Sequence, residues 1–161
     1  MPLGVNDITL AEITTAYQTL LTGKIFKCKD ANWTEACFIK EIKNRDGRTI
    51  FRNKMESMTV LDDTVTTQMG VMLRSVFTNG TAHSQLTALS VKNPEGASKL
   101  RYPVMGKTGT TNDTFDVWID GFTPDYAAAL WIGTDLNVEM NGSSDQAAAL
   151  WSRIMSQVNG I

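Results

Sequence analysis

Long hydrophobic runs are missing from this sequence. No apolar stretch approaches the roughly 20 residues needed to cross a bilayer, so no part of it reads as a membrane span. Residues 1–21 also lack a basic start leading into an apolar stretch, the form of a secretory signal; any export signal or anchor is expected outside this chain. Excess charge of either sign is absent, since 15 basic residues stand against 17 acidic ones for a formal net charge of −2. That balance argues against a nucleic-acid footprint or a polybasic membrane patch. Histidine is almost absent: His83 stands alone, and the two cysteines do not gather around it. A His/Cys metal site would need such a cluster, so no metal is expected. No low-complexity tract suggests disorder.

What remains is an ordinary globular composition, 42% hydrophobic and 20% charged over 161 residues, long enough for one domain around a single core. Cys28 and Cys37 lie nine positions apart across a polar stretch. That spacing admits a disulfide in an oxidising compartment and equally admits two unpaired, half-buried thiols.

Hydrophobic spacing sets out the elements. Residues 3–23 read as a helix: Thr9 and Glu12 form a capping box, Leu10, Ile13, Ala16, Tyr17, Leu20 and Leu21 share a face, and Gly23 closes the end. Tyr17 on that face reads as packing. Residues 24–51 turn to strand patterns, with a hairpin predicted from Phe38, Ile39 and Ile42, through Asn44-Arg45-Asp46-Gly47, to Thr49-Ile50-Phe51. The charges around it form a solvated face. Residues 53–62 show no clear period. A second helix is expected from Asp62 or Asp63 to Asn79-Gly80, with Val65, Met69, Met72, Leu73, Val76 and Phe77 in a stripe, and with Met58, Met69 and Met72 as core filler. Residues 81–101, with Asn93-Pro94-Glu95-Gly96 as a turn, read as a surface passage.

Beyond it, residues 102–111, the alternation Val117-Trp118-Ile119-Asp120-Gly121-Phe122 and residues 126–133 predict three consecutive antiparallel strands. A last helix begins at a Ser143/Gln146 capping box and carries Ala147, Leu150, Trp151, Ile154, Met155 and Val158. Helices against one face of an antiparallel meander give an α+β fold.

Residues 104–113 stand apart from core patterning. Lys107 sits between Gly106 and Gly109, with hydroxyls at Thr108, Thr110 and Thr111. Glycine permits close approach of another backbone, while the ammonium and hydroxyls offer donors to an anion. The alternative for a bare tripeptide is a glycine-rich turn with a solvated lysine. A phosphate-binding loop needs a glycine five places before Gly106, where Arg101 stands, and must run into a helix; Asp116-Val117-Trp118-Ile119 reads as a strand instead.

The order of segments resembles the carboxy-terminal part of the transpeptidase domain of class A penicillin-binding proteins, which share a β-lactamase-like fold. The segments are Leu3-Gly4 with Ile8-Thr9-Leu10-Ala11-Glu12 and Ala16-Tyr17; Phe38-Ile39-Lys40-Glu41-Ile42 with Asp46-Gly47; Met72 to Val76 with Gly80-Thr81-Ala82; Gly106 to Asp113; Asp116 to Pro124; and Leu130-Trp131-Ile132-Gly133. Lys-Thr-Gly is one of the short elements of serine acyltransferases that react with penicillin.

The resemblance implies D,D-transpeptidation of peptidoglycan, without a cofactor, at the extracytoplasmic face of the bacterial inner membrane. By it, Lys107 and Thr108 serve the catalytic centre, Gly109 leaves the strand bare for a substrate backbone, Thr110 receives the carboxylate of a D-Ala-D-Ala stem peptide or a β-lactam and offers its amide to the oxyanion, and Thr111 is a further substrate-binding residue. The family's Ser-x-x-Lys and Ser-x-Asn elements precede the segment resembling Leu3-Gly4. No serine in this chain has a lysine three places on or an asparagine two places on. Half a site is therefore expected, inactive until the amino-terminal part is supplied, with exposed apolar surface prone to self-association. A non-catalytic carboxylate-binding or interaction module on the same fold is the other reading.

Overall fold

The structure, a computed structural model, describes residues 6–33, 36–85, 90–92, 98–100, 103–136 and 138–160. Along these the order is α1 (Leu10–Thr22), β1 (Lys24–Cys28), β2 (Glu41–Lys43), β3 (Thr49–Arg52), β4 (Met55–Thr59), α2 (Asp63–Thr78), β5 (Ser90–Lys92), β6 (Ser98–Leu100), β7 (Met105–Thr110), β8 (Asp116–Phe122), β9 (Ala127–Gly133) and α3 (Ser144–Val158). Residues 3–5, Asn93 to Gly96, Tyr102 and Asn137, which carried parts of the sequence reading, lie outside the described residues.

The first helix is shorter than its pattern predicts. Residues 6–9 are irregular, and the helix starts where Thr9 accepts the Glu12 amide while the Glu12 carboxylate takes the Thr9 amide at 2.9 Å. Two donors freed by the first turn are thereby satisfied, a gain of about 1 kcal/mol. Gly23 ends the helix at φ +69°, a left-handed conformation that glycine enters without strain. Its carbonyl also takes the amides of Val60 at 2.9 Å and Leu61 at 3.1 Å.

The hairpin appears as β2 and β3, with the Asn44 side chain accepting the amides of Asp46 and Arg48 across the turn. Phe38 and Ile39 precede it as irregular chain. Cys28 and Cys37 are joined, which resolves the open question of their pairing. The stretch after residue 53 is not patternless: β4 runs antiparallel to β1. Its residues are all exposed, so no alternation marks it in the sequence. For the same reason Met58, and likewise Met72 on α2, is not core filler; they are 47% and 58% exposed. Within residues 81–101, the expected surface passage, Ala82 is fully buried and β5 pairs with β6.

The meander is present as β7-β8-β9 in that order, antiparallel throughout and without a register break. Val117, Ile119 and Gly121 point to one face. There Phe77 of α2 and Ala147, Ala148, Trp151 and Met155 of α3 close over Val117 and Ile119, the rings of Phe77 and Trp151 lying 5.7 Å apart. Trp151 also donates from its indole to the Ala128 carbonyl at 3.0 Å.

Two details depart from the sequence reading. Helices cover both faces: α1 packs on β8 and β9 from the opposite side, Tyr17 meeting Phe122 with ring centroids 6.4 Å apart. Phe122 is consequently buried. On α3 the buried stripe is Ala147, Ala148, Trp151, Ser152 and Met155, while Leu150, Ile154 and Val158 are 44%, 40% and 47% exposed. Helix rotation decided this. Trp151 lies over Gly121 while Phe77 lies over the facing Gly106, and with the tryptophan inward the larger aliphatics turn outward.

Candidate functional site

The glycine-flanked lysine lies on β7, one margin of the three-stranded sheet. Thr111 donates its amide to the Asp116 carbonyl at 3.0 Å, which makes that facing pair a hydrogen-bonded one. Alternation along an unbroken antiparallel ladder then leaves the amides and carbonyls of Gly106, Thr108 and Thr110 directed away from β8. Among the described residues no strand takes them up. A row of main-chain donors and acceptors therefore lines an open edge.

Each residue singled out from the sequence sits on or beside this edge. Lys107 is exposed, and its Nζ donates to the Thr108 carbonyl at 2.8 Å, so the ammonium rests on the unpaired side of the strand. Thr108 is 7% exposed, with its hydroxyl 2.5 Å from that of Thr81. That contact pins β7 to the segment following α2. Gly109 faces Trp118, whose Cβ would stand 3.1 Å from a Cβ placed there; the glycine seats the tryptophan as well as baring the strand. Thr110 is exposed and makes no side-chain hydrogen bond among the described residues. Thr111 is engaged differently: its hydroxyl accepts the Asp116 amide at 2.8 Å and its amide closes the turn. It thus shapes the end of the strand, and only its position remains available for a ligand.

Residues that the motif alone does not reveal complete the surroundings. Asp116 joins Thr111 to Trp131, whose indole donates to its carboxylate at 2.8 Å, and the Trp118 and Trp131 rings lie 6.1 Å apart beneath Gly109. Asp120 faces Lys107 directly across the ladder. Burial raises its carboxyl from the ordinary range to about 7. Tyr17, from α1, is pushed to about 12 by its own burial and by the Asp120 charge. An acidic residue in the middle of a mostly apolar strand is the one sequence signal that could have drawn notice to Asp120. Among the described residues no group of three or more His, Cys, Asp or Glu is arranged to hold a metal.

No family model matches the chain. It is 36% identical over 124 residues to penicillin-binding protein 2a of Streptococcus pneumoniae, a match that takes 71% of this chain and 15% of that protein. Over 165 aligned residues it is 33% identical to penicillin-binding protein 1A of Aquifex aeolicus, taking 98% of this chain and 20% of that one. The fold agrees with penicillin-binding protein 1A from Haemophilus influenzae at a TM-score of 0.71, with 18% identity, covering 94% of this chain and 26% of that chain.

The chain belongs to the penicillin-binding proteins. It is a portion of the class A transpeptidase domain and has that domain's α+β fold. Penicillin-binding protein A from M. tuberculosis, solved as an imipenem acyl-enzyme complex, shares the fold at a TM-score of 0.60 and 15% identity, over 95% of this chain and 32% of that chain. The chain spans less than a quarter of the length of the curated relatives it matches.

Proposed function

We propose that this chain supplies the Lys-Thr-Gly wall of a D,D-transpeptidase site that cross-links peptidoglycan. In this reading the single domain is the carboxy-terminal portion of the transpeptidase domain, and the Ser-x-x-Lys and Ser-x-Asn elements come from its amino-terminal portion. The observation that carries the reading is the open edge of β7, with the Lys107 ammonium resting on it and the Thr110 hydroxyl exposed.

A stem peptide ending in D-Ala-D-Ala, or a β-lactam, would add itself to this edge main chain to main chain. Thr108 would contribute through its outward carbonyl and amide, since its hydroxyl is held by Thr81. The outward Thr110 amide is suited to an oxyanion and its hydroxyl to the terminal carboxylate. Lys107 would compensate charge and orient protons beside the serine supplied by the other portion. Gly109 would leave the approach free, and Thr111 would hold the end of the strand in shape.

The reaction would take place at the extracytoplasmic face of the inner membrane. Among the described residues no helix is long and apolar enough to cross a membrane. Partners in this reading are the amino-terminal portion of the same domain and, through exposed apolar side chains, further copies of the chain.

Complementation tests this reading. A separate polypeptide carrying the two serine elements should restore labelling by a fluorescent penicillin when mixed with this chain, and Lys107→Ala should cut labelling by at least about a hundredfold. Absence of labelling in a mixture shown by sedimentation to have assembled would instead favour a non-catalytic carboxylate-binding module.

A further inference from the structure

Asp120 is a half-buried carboxylate that the proposed chemistry leaves unused. Its Oδ1 is enclosed and has no hydrogen-bond partner, a costly arrangement for a polar atom. Alternation along β8 places it on the same sheet face as Lys107, its direct cross-strand partner on β7. Facing pairs of this kind bring Cβ atoms to roughly 5 Å, within easy reach of a lysine side chain. The two form no ion pair in the structure; the ammonium is turned outward onto the Thr108 carbonyl.

The charged and titratable groups about Asp120 are few. From α1 comes Tyr17, and from β7 Lys107. β9 sets Ala129 opposite, and from α2 Arg74 borders the groove that holds Met105 and Phe122, the facing pair two positions along. With Tyr17 neutral, Lys107 is the cation placed to answer a charge on Asp120.

We propose that Asp120 is a positioning residue for Lys107, its ionised carboxylate competing with the Thr108 carbonyl for the ammonium and drawing it in from the open edge. Protonated, Asp120 exerts no pull and Lys107 stands at the edge. Loss of the proton to solvent creates the competing acceptor and takes the cation away from where a substrate carboxylate would lie. This inference rests on the transpeptidase reading for its consequence, but its geometry does not depend on it.

The test uses the chain itself, isotopically labelled, with the Lys107 side-chain resonances and the Asp120 carboxyl carbon followed by NMR between pH 5 and pH 9. The expected result is one shared inflection near pH 7 in both signals. Asp120→Asn should remove the inflection from Lys107, and Tyr17→Phe, which keeps the carboxylate, should retain it. A flat Lys107 signal while Asp120 titrates, or an unchanged Lys107 inflection in Asp120→Asn, overturns the proposal. Should the asparagine variant fail to fold, the two wild-type signals decide alone, because they must move together. Penicillin labelling in the complemented complex is a separate readout, so labelling with a flat Lys107 signal would sink this inference and leave the functional reading standing.

Discussion

Gly106 and Gly121 face each other where β7 and β8 cross beneath Trp151 and Phe77. A Cβ on Gly121 would run into the Met105 carbonyl oxygen, and one on Gly106 would come within 2.7 Å of the Asp120 carbonyl oxygen. Backbone cannot move aside as a flexible side-chain end can. Gly121→Ala is therefore expected to destabilise the fold by at least about 2 kcal/mol in urea unfolding. Gly70 is the matched control: it lies inside α2 with nothing within 4 Å of an added Cβ, so Gly70→Ala should stabilise by roughly 0.5–1 kcal/mol. Equal effects at the two sites would refute the packing account. The motif's first glycine thus has a structural duty that its place beside Lys107 concealed. Lys107 and Thr110 could be read directly because cations and hydroxyls beside glycines make poor core. Thr81 could not, because it matters only through Thr108, 27 positions along the chain, and Asp120 is marked only as an acid in the middle of a mostly apolar strand.

At the scale of elements, local signals were dependable and distant ones were not. The caps at Thr9, Asp62 and Gly23 mark helix ends through bonds made within a few residues, and the β7-β8-β9 meander declared itself because consecutive strands pair by short turns. β4 went unseen because it pairs with β1 across the whole of residues 29–54 and buries no side chain. The rotation of α3 was equally hidden: three aliphatics at intervals of four read as core until the tryptophan chose the inward face. Leu150, Ile154 and Val158 consequently form an outward row. The isolated chain should self-associate through it, with an apparent mass in sedimentation equilibrium that rises with concentration. Replacing the three by Gln, Lys and Gln should hold it monomeric; a wild type that stays monomeric at high concentration would count against this.

Across the whole molecule, the division between legible and illegible follows the core. The sheet, the helices on it and the Lys-Thr-Gly edge are tied by burial of Phe77, Val117, Ile119 and Trp151, and hydrophobic spacing announces such burial. The β1 to β4 excursion meets the rest mainly through α1 and has its own fastening, the Cys28–Cys37 bridge, worth roughly 2–3 kcal/mol. Its neck is already shut, since the Gly23 carbonyl holds the amides of Val60 and Leu61. The excursion is thus a lasso whose knot lies outside it. Excising residues 24–59 and splicing Gly23 to Val60 through one or two glycines should leave a body that still melts in one sharp transition by circular dichroism. A broad, non-cooperative melt would mean that the noose grips more of the molecule than its knot suggests.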